Sequence, residues 1–91
     1  MHLLIAYDIE DDKRRKKVSD LLEAVGYRVN YSVFEITITQ TKYIKLAEKL
    51  KEILEQKKDS VRIYHVCENC VKLSKELCEK PDIFEPKEMF V

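Results

Sequence analysis

Between Tyr27 and Thr39 the chain is rich in β-forming residues, but its apolar side chains change phase halfway along. The first apolar set lies at odd positions and the second at even positions: Val29, Tyr31 and Val33, then Phe34, Ile36 and Ile38. A strand cannot move its apolar side chains to its other face without a turn or a bulge. We therefore predict two short strands joined near Tyr31 and Ser32, with a single bulged strand as the alternative.

The residues before this stretch predict one strand and one helix. Leu3 to Tyr7 form an unbroken apolar run, which is typical of a strand buried on both faces in the middle of a sheet. Asp11 or Asp12 can cap the helix that follows, and Gly26 stands where a left-handed C-terminal cap is expected. The buried helix face follows the i, i+3, i+4, i+7 rule: Val18, Leu21, Leu22 and Val25.

The residues after this stretch predict a second helix and a last strand. The helix begins at Thr41, and Lys57 and Lys58 suit the dipole at its C-terminus. Val61 to Val66 is a strand by its β-branched and aromatic content. The apolar stripe of the helix comprises Tyr43, Leu46, Ala47, Leu50, Ile53 and Leu54. The order β-α-β-β-α-β predicts an α+β ferredoxin-like fold with both helices on one face.

The chain beyond the last strand divides into a short helical segment and a tail. Residues 67–80 can hold a short helix and complete a ferredoxin-like domain over residues 1–80. The tail, residues 81–91, ends in Met89-Phe90-Val91, which would be costly to leave in water. We expect this tail to form an extra edge strand, either on its own sheet or as a segment swapped onto a partner. The open sheet edges and the apolar tail predict a homodimer.

Length and charge limit the classes of function that the chain can serve. Its 91 residues suffice for one domain, and 17 basic residues balance 17 acidic ones. Attraction to nucleic acid must therefore come from a local cluster of charge rather than from the whole chain. No apolar stretch approaches the roughly 20 residues of a membrane span, so we expect a cytoplasmic protein without a membrane partner.

Asp8 follows the first strand directly, at the strand end where α/β folds tend to place ligands. Mg²⁺ often takes only one or two oxygens from protein and the rest from water and phosphate. A twofold dimer could supply a second Asp8, because an isologous interface brings identical residues together. The alternative is an aspartate that only caps the loop.

Five consecutive cations, Lys13 to Lys17, lie in the opening turns of the first helix, where the helix dipole disfavours positive charge. Phosphate binding would explain this placement. Successive helix residues point about 100° apart, so only two or three of the five can face one ligand. Arg14 and Arg15 are better phosphate forks than the lysines. The alternative is a solvated helix face that is partly neutralised by Glu10, Asp11 and Asp12.

Three cysteines, Cys67, Cys70 and Cys78, form an odd set that favours a reducing compartment over a disulfide-stapled secreted domain. Cys67 and Cys70 form a CxxC pair, which could make a four-ligand zinc site with His65 and Cys78. A thioredoxin-like redox role is a weaker alternative, because that motif belongs to a different topology. The simplest interpretation is that all three pack as small apolar residues.

An ordered set of short segments connects this chain to a known family. The segments are Tyr7-Asp8-Ile9, Arg15, Gly26 with Arg28 and Asn30, Ser32-Val33-Phe34-Glu35, and Asp59-Ser60-Val61-Arg62-Ile63-Tyr64. Together, from residue 1 to about residue 66, they resemble the second core CRISPR-associated protein family, the small subunit of spacer acquisition. The resemblance implies a ferredoxin-like homodimer that bridges the CRISPR integrase. It also implies a metal-dependent endonuclease that acts on RNA or DNA.

The same resemblance implies roles for individual residues. Asp8 falls on the family's metal-binding aspartate, which would hold Mg²⁺ or another divalent cation, with Tyr7 beside it. The positions that bind substrate or shape the site are occupied here by Arg15, Arg28, Ser32 and Phe34. The predicted catalytic set is Asp8, Tyr7, Arg15, Arg28 and Phe34. The predicted nucleic-acid surface is Lys13, Arg14, Arg15, Lys17, Arg28 and Ser32.

The chain departs from the family pattern at two positions. Asn30 stands where the family commonly has glutamine, and Lys17 stands where it has a second arginine, so the charge is kept without bidentate geometry. As an enzyme, the dimer would hold Mg²⁺ between two Asp8 carboxylates while Arg15 and Arg28 neutralise phosphate. No histidine or second carboxylate has an obvious general-base role beside Asp8. We therefore expect a DNA-binding scaffold as the main role and endonuclease activity as an intrinsic property, with a purely structural scaffold as the alternative.

Overall fold

The computed structural model describes residues 1–87, which form a four-stranded antiparallel sheet with two long helices packed on one face. The strand order is β2-β3-β1-β4. The elements are β1 (His2–Asp8), α1 (Asp12–Glu23), β2 (Gly26–Asn30), β3 (Val33–Thr37), α2 (Gln40–Ile53), β4 (Ser60–Val66) and α3 (Glu68–Leu73). This is the predicted ferredoxin-like α+β fold.

The phase change in the β-forming stretch marks the turn between β2 and β3, as predicted. Asn30 ends β2, Val33 begins β3, and Tyr31 and Ser32 form the connection. The pairing of the two strands also shifts register between Arg28 and Asn30. The β2–β3 hairpin therefore contains both a turn and a bulge. Phe34 and Ile36 of β3 face the core and have no solvent exposure.

Strand β1 lies in the middle of the sheet, between β3 and β4. Its odd residues Leu3, Ile5 and Tyr7 are buried against the helices, whereas Leu4 and Ala6 on the opposite face are only half-buried. The prediction of a strand buried on both faces is therefore wrong for a single chain. The helices cover one face only, and the other face of the sheet is open.

Helix α1 begins as predicted, but Gly26 does not end it. The Asp11 side chain accepts a hydrogen bond from the Arg14 amide at 2.9 Å, and Ala24 caps the C-terminus in a right-handed conformation. Gly26 instead begins β2, opposite Ile36, and its φ is not positive. A Cβ atom there would lie 2.5 Å from both the Glu35 carbonyl oxygen and Ile36 Cγ1. Glycine is needed for close approach of two strands, not for a left-handed cap.

Helix α2 begins and ends earlier than the sequence predicts. Thr39 caps it by accepting a hydrogen bond from the Lys42 amide at 3.3 Å, and its last residue is Ile53. Lys57 and Lys58 therefore lie in the turn before β4, and the cation in the last helical turn is Lys51. The predicted pairing of Lys57 and Lys58 with the helix dipole is wrong.

The tail packs on the open face of the sheet and forms no strand from Pro81 to Lys87. The Phe84 amide donates to Glu35 Oε1 at 2.9 Å, and the Thr37 hydroxyl donates to the Phe84 carbonyl at 3.3 Å. The Phe84 ring meets His2 edge to face, with 5.6 Å between ring centroids. The predicted apolar terminus, Met89 to Val91, lies outside the described residues. Within the described part of the chain, no helix has the length and apolarity to cross a bilayer.

Candidate nucleic-acid interface

The five cations of α1 point in different directions and have different partners. Arg14 packs towards the turn before β4 and forms a bidentate pair with Asp59, with Nε–Oδ2 at 2.8 Å and Nη2–Oδ1 at 3.0 Å. The Asp59 side chain is 1% exposed and also accepts the Glu55 amide at 2.8 Å. These hydrogen bonds, that of Arg14 first, hold the pKa of Asp59 below its ordinary value. The guanidinium fork predicted to bind phosphate is already occupied by a carboxylate.

Arg15 lies on a different side of α1 and holds the loop between β1 and α1 in place by hydrogen bonds. Its Nη1 donates to the Ile9 and Glu10 carbonyls, each at 3.0 Å, and its Nη2 pairs with Asp12. The side chain nevertheless remains 44% exposed. Arg15 is therefore a cation that is held in one orientation while part of its surface faces solvent.

Arg15 faces a pocket of about 350 Å³ beside the β2–β3 turn, which we call the arginine pocket. Arg28 of β2 lines the same pocket. The pocket is lined by Tyr7, Asp12, Arg15, Lys16, Ser19, Arg28, Tyr31 and Ser32. Three cations against one carboxylate make this pocket a favourable place for phosphate. The structure thus brings together four of the predicted site residues: Tyr7, Arg15, Arg28 and Ser32.

Arg28 is fixed from three sides. Its Nη1 donates to the Tyr31 carbonyl at 2.6 Å, its Nη2 pairs with Glu23 Oε1 at 3.0 Å, and its Cζ lies 5.0 Å from the centroid of the Phe34 ring. Phe34 itself has no exposed surface. A direct catalytic role for Phe34 is therefore excluded by its burial in this structure, and its part in the site is to support Arg28.

Tyr7 and Ser32 connect β1 to the same turn. The Tyr7 hydroxyl donates to the Tyr31 carbonyl at 3.2 Å, and the Tyr7 amide donates to the Ser32 carbonyl at 3.0 Å. Tyr7 is only 6% exposed. Tyr7 therefore positions the β2–β3 turn. This turn places Ser32 in the lining of the arginine pocket.

Asp8 lies apart from the arginine pocket. Side chains alternate along a strand, so Asp8 faces the open side of the sheet while Tyr7 faces the helices. Asp8 is exposed, and among residues 1–87 its carboxylate has no hydrogen-bond or ion-pair partner. An unpaired carboxylate is the kind of hard oxygen donor that Mg²⁺ binds. Residues 1–87 contain no cluster of three or more His, Cys, Asp or Glu side chains that could hold a metal ion.

The remaining cations of α1 lie on its outer surface. Lys16 pairs with Asp20 one turn later, at 3.0 Å. Lys13 and Lys17 are exposed, and neither forms an ion pair within the described range 1–87. Because they are four residues apart, they lie on the same face of the helix. Of the predicted phosphate-binding cations, these two are the ones without an ion-pair partner among residues 1–87.

The three cysteines are all exposed, so the prediction that they pack as apolar residues is wrong. Cys67 caps α3, and its Sγ accepts a hydrogen bond from the Cys70 amide at 3.3 Å. Hydrogen bonding from the Cys70 thiol lowers the pKa of Cys67, and the same contact raises the pKa of Cys70. His65 packs edge to face on Tyr43, with ring centroids 5.5 Å apart. In the part of the chain that is described, no third side chain joins the CxxC pair to form a zinc site.

Two partners of the site arginines were not predicted from the sequence. Asp59 lies 45 positions from Arg14, and Glu23 and Arg28 belong to different elements. Tyr31 was treated only as a turn residue, although it is 88% exposed and lines the arginine pocket. The sequence feature that could have identified Tyr31 is an aromatic residue at the tip of a predicted turn, because turns lie on the surface and often carry binding residues.

Comparison with known proteins places this chain in one family. A family model described as CRISPR associated protein Cas2 matches residues 1–73. A Synechocystis protein named CRISPR-associated endoribonuclease Cas2 3 is 52% identical over 61 residues, which cover 67% of this chain and 66% of that relative, just under two thirds of its length. The crystal structure of Streptococcus pyogenes Cas2 at pH 6.5 has a TM-score of 0.74 at 30% identity, covering 86% of this chain and 100% of that one. A chain from a partial Cas6-RT-Cas1–Cas2 complex has a TM-score of 0.71 at 35% identity, covering 84% of this chain and 89% of that one. The chain belongs to the Cas2 family of CRISPR-associated proteins.

Proposed function

We propose that this chain is a nucleic-acid-binding homodimer in CRISPR spacer acquisition, where it bridges the two halves of the CRISPR integrase. The observation that carries the proposal is the arginine pocket, in which Arg15 and Arg28 are each held by protein groups. Lys13 and Lys17, each two residues from Arg15, lie on another face of α1 and would contact a different part of the nucleic acid. Family membership supports the biological setting, since one similar chain comes from a complex whose title names Cas1 and Cas2.

Binding would use two kinds of cation. Lys13 and Lys17 would follow the phosphate backbone as mobile point charges, whereas Arg15 and Arg28 would bind phosphate from fixed orientations. Because Arg15 and Arg28 are already held by carbonyls and carboxylates, little side-chain entropy is lost when they meet a phosphate. Arg14 is left out of this surface, because Asp59 holds its guanidinium.

The open face of the sheet supports the homodimer. Leu4 and Ala6 are half-buried there, and Tyr64 of β4 is 48% exposed on the same face. An uncovered apolar sheet face is costly, and a second copy of the chain is the simplest cover for it. Sedimentation at micromolar concentration should show a dimer of the 10.8 kDa chain. A single 10.8 kDa species would contradict this part of the proposal.

Nucleic-acid binding can be tested by replacing Lys13 and Lys17 with glutamine and titrating duplex DNA across a range of salt. Each lost phosphate contact should lower the slope of log affinity against log salt by about 0.9. Two lysines in each of two protomers would lower it by about 3 to 4. A rise from 50 to 200 mM salt should then weaken the wild type about 100-fold more than it weakens the variant.

The matched control replaces Lys42 and Lys45 of α2, two exposed lysines whose loss changes the charge of the chain by the same amount. This control should keep the wild-type slope, because Lys42 and Lys45 line neither the arginine pocket nor the hollows that Lys13 and Lys17 line. Equal slopes for the Lys13/Lys17 variant and the wild type would contradict the proposed surface. Equal losses in both variants would show a diffuse charge effect and contradict it as well.

A second candidate function, metal-dependent endonuclease activity, is favoured by the unpaired Asp8 carboxylate and by relatives that are named endoribonucleases. Two Asp8 side chains, one from each protomer, would hold Mg²⁺, which would polarise a phosphate and activate a bound water. Arg15 and Arg28 lie on the side of β1 away from Asp8, so they would bind the strand through another phosphate. The part of the chain that the structure describes offers no evident general base beside Asp8, so a low rate is expected.

The test is cleavage of single- and double-stranded RNA and DNA, with and without Mg²⁺, by the wild type and by Asp8→Asn. Asp8→Asn should abolish Mg²⁺-dependent cleavage and leave the dimer and nucleic-acid affinity intact. Cleavage that persists in the purified variant would assign the activity to another site or to a contaminant. Absence of cleavage by the wild type on all four substrates would favour the purely structural scaffold.

A further inference from the structure

We infer that Tyr31, with Val29 and Asn30, forms a subsite for one unpaired nucleobase, next to the arginine pocket that holds the adjoining phosphate. The inference rests on the proposed nucleic-acid binding and adds a substrate class to it: single-stranded or frayed nucleic acid. The first observation is the Tyr31 ring, which is 88% exposed at the tip of the β2–β3 turn.

The backbone that carries this ring is fixed. The Tyr31 carbonyl accepts hydrogen bonds from the Tyr7 hydroxyl at 3.2 Å and from Arg28 Nη1 at 2.6 Å. The Tyr31 amide donates to Asn30 Oδ1 at 2.8 Å. Hydrogen bonds thus fix both the amide and the carbonyl of Tyr31, while its aromatic ring remains in water. A rigidly presented aromatic ring loses little entropy when a planar ligand stacks on it.

Two hollows meet at Arg28 and Tyr31, and their chemistry differs. The arginine pocket, about 350 Å³, is lined by polar and charged side chains and suits phosphate. The second hollow, about 260 Å³, is lined by Arg28, Val29, Asn30 and Tyr31. Val29 is 58% exposed there and offers an apolar wall. The Asn30 amide nitrogen can donate to a base edge, because the Asn30 oxygen already accepts the Tyr31 amide.

This arrangement matches one nucleotide better than it matches a base pair. The phosphate would lie on the Arg15 side, and the base would stack on Tyr31 and contact Val29 and Asn30. Stacking on an aromatic side chain requires an exposed base face, which a base inside a duplex does not have. The subsite therefore selects unpaired nucleotides, whereas Lys13 and Lys17 bind the backbone of either form.

The test compares Tyr31→Ala with Tyr31→Phe, which keeps the stacking ring, and with Tyr27→Ala, which removes an exposed aromatic of the preceding strand β2 outside both hollows. Anisotropy titrations use a single-stranded oligodeoxynucleotide, a blunt duplex of the same sequence, and an abasic strand of the same length. Tyr31→Ala should weaken single-strand binding about 5- to 100-fold. Tyr31→Phe and Tyr27→Ala should stay within about twofold of the wild type. Duplex and abasic-strand affinities should be unchanged in all three variants.

A second readout reports stacking directly. A strand that carries 2-aminopurine should lose fluorescence when the wild type or Tyr31→Phe binds, but not when Tyr31→Ala binds. Equal affinity of Tyr31→Ala and the wild type for the single strand would overturn the subsite while leaving the proposed function intact. Equal weakening on the abasic strand, or dissociation of the dimer by Tyr31→Ala in sedimentation, would also overturn it. No binding by the wild type to any strand would overturn the proposed function itself.

Discussion

Replacing Gly26 with alanine should destabilise the fold, because two strands pass too close at this position for a side chain. The new Cβ would meet the Glu35 carbonyl oxygen at 2.5 Å, so β2 or β3 must move by about 0.9 Å to restore an ordinary contact of 3.4 Å. Overpacking of this kind costs about 1–3 kcal/mol. The loss of glycine flexibility in the unfolded chain offsets about 0.4–1 kcal/mol of this. A net loss of about 1–2 kcal/mol is expected.

Thermal unfolding followed by circular dichroism measures this effect. For a domain of this size, each kcal/mol corresponds to about 4–8 °C, so Tm should fall by about 5–15 °C. Val29→Ala, at the exposed end of the same strand, is the control and should change stability by less than about 0.5 kcal/mol. A Gly26→Ala variant with a Tm equal to or above the wild type would refute the close-approach argument.

Three further variants test the division of the site into structural and functional residues. Asp59→Asn should lower the Tm in heat denaturation, since it leaves Arg14 without its carboxylate. The pKa of Asp59 is lowered from its ordinary value of 3.8, so the stability that its charge contributes is present above that value and is lost as pH falls below it. The wild type should therefore lose more stability than the variant on acidification below about pH 4. Asp8→Asn should keep the wild-type Tm, and a large loss would show that Asp8 is structural. Phe34→Leu should lower Tm by several degrees and weaken DNA binding through Arg28, and unchanged affinity would show that the ring beneath Arg28 does not matter for binding.

The sequence correctly predicted those features of the fold that depend on residues close together in the chain. The change of apolar phase identified the turn at Tyr31 and Ser32, and Asp11 identified the start of α1. Gly26 was misinterpreted because a left-handed cap and a close strand approach both favour glycine, and only the position of β3 distinguishes them. Likewise, an apolar run such as Leu3 to Tyr7 does not reveal whether its second face is covered by the same chain or by another.

The structure brings together only part of the predicted site, and the partners of its arginines were not predicted. The sequence indicated Arg15, Arg28, Ser32 and Tyr7, and these four line one pocket. It could not predict that Asp59 occupies the fork of Arg14, because that pair joins residues 45 positions apart and depends on how α1 packs beside the turn before β4. Five adjacent charges look equivalent in a sequence, whereas helix geometry assigns each of them to a different environment.

The separation of Asp8 from the arginine pocket limits how one protomer could act on nucleic acid. Alternation along β1 sends Tyr7 to the helix side and Asp8 to the open face of the sheet. A phosphate held by Arg15 and Arg28 would then lie on the side of β1 that Tyr7 faces, away from the face that carries Asp8. Phosphate binding at the pocket and metal binding at Asp8 can therefore be tested separately. Asp8→Asn should change cleavage, whereas the Lys13/Lys17 variant should change nucleic-acid affinity. If both variants changed affinity and cleavage in parallel, the two faces would have to act as a single site. The dimer would then have to bring Asp8 of one protomer to the arginine pocket of its partner.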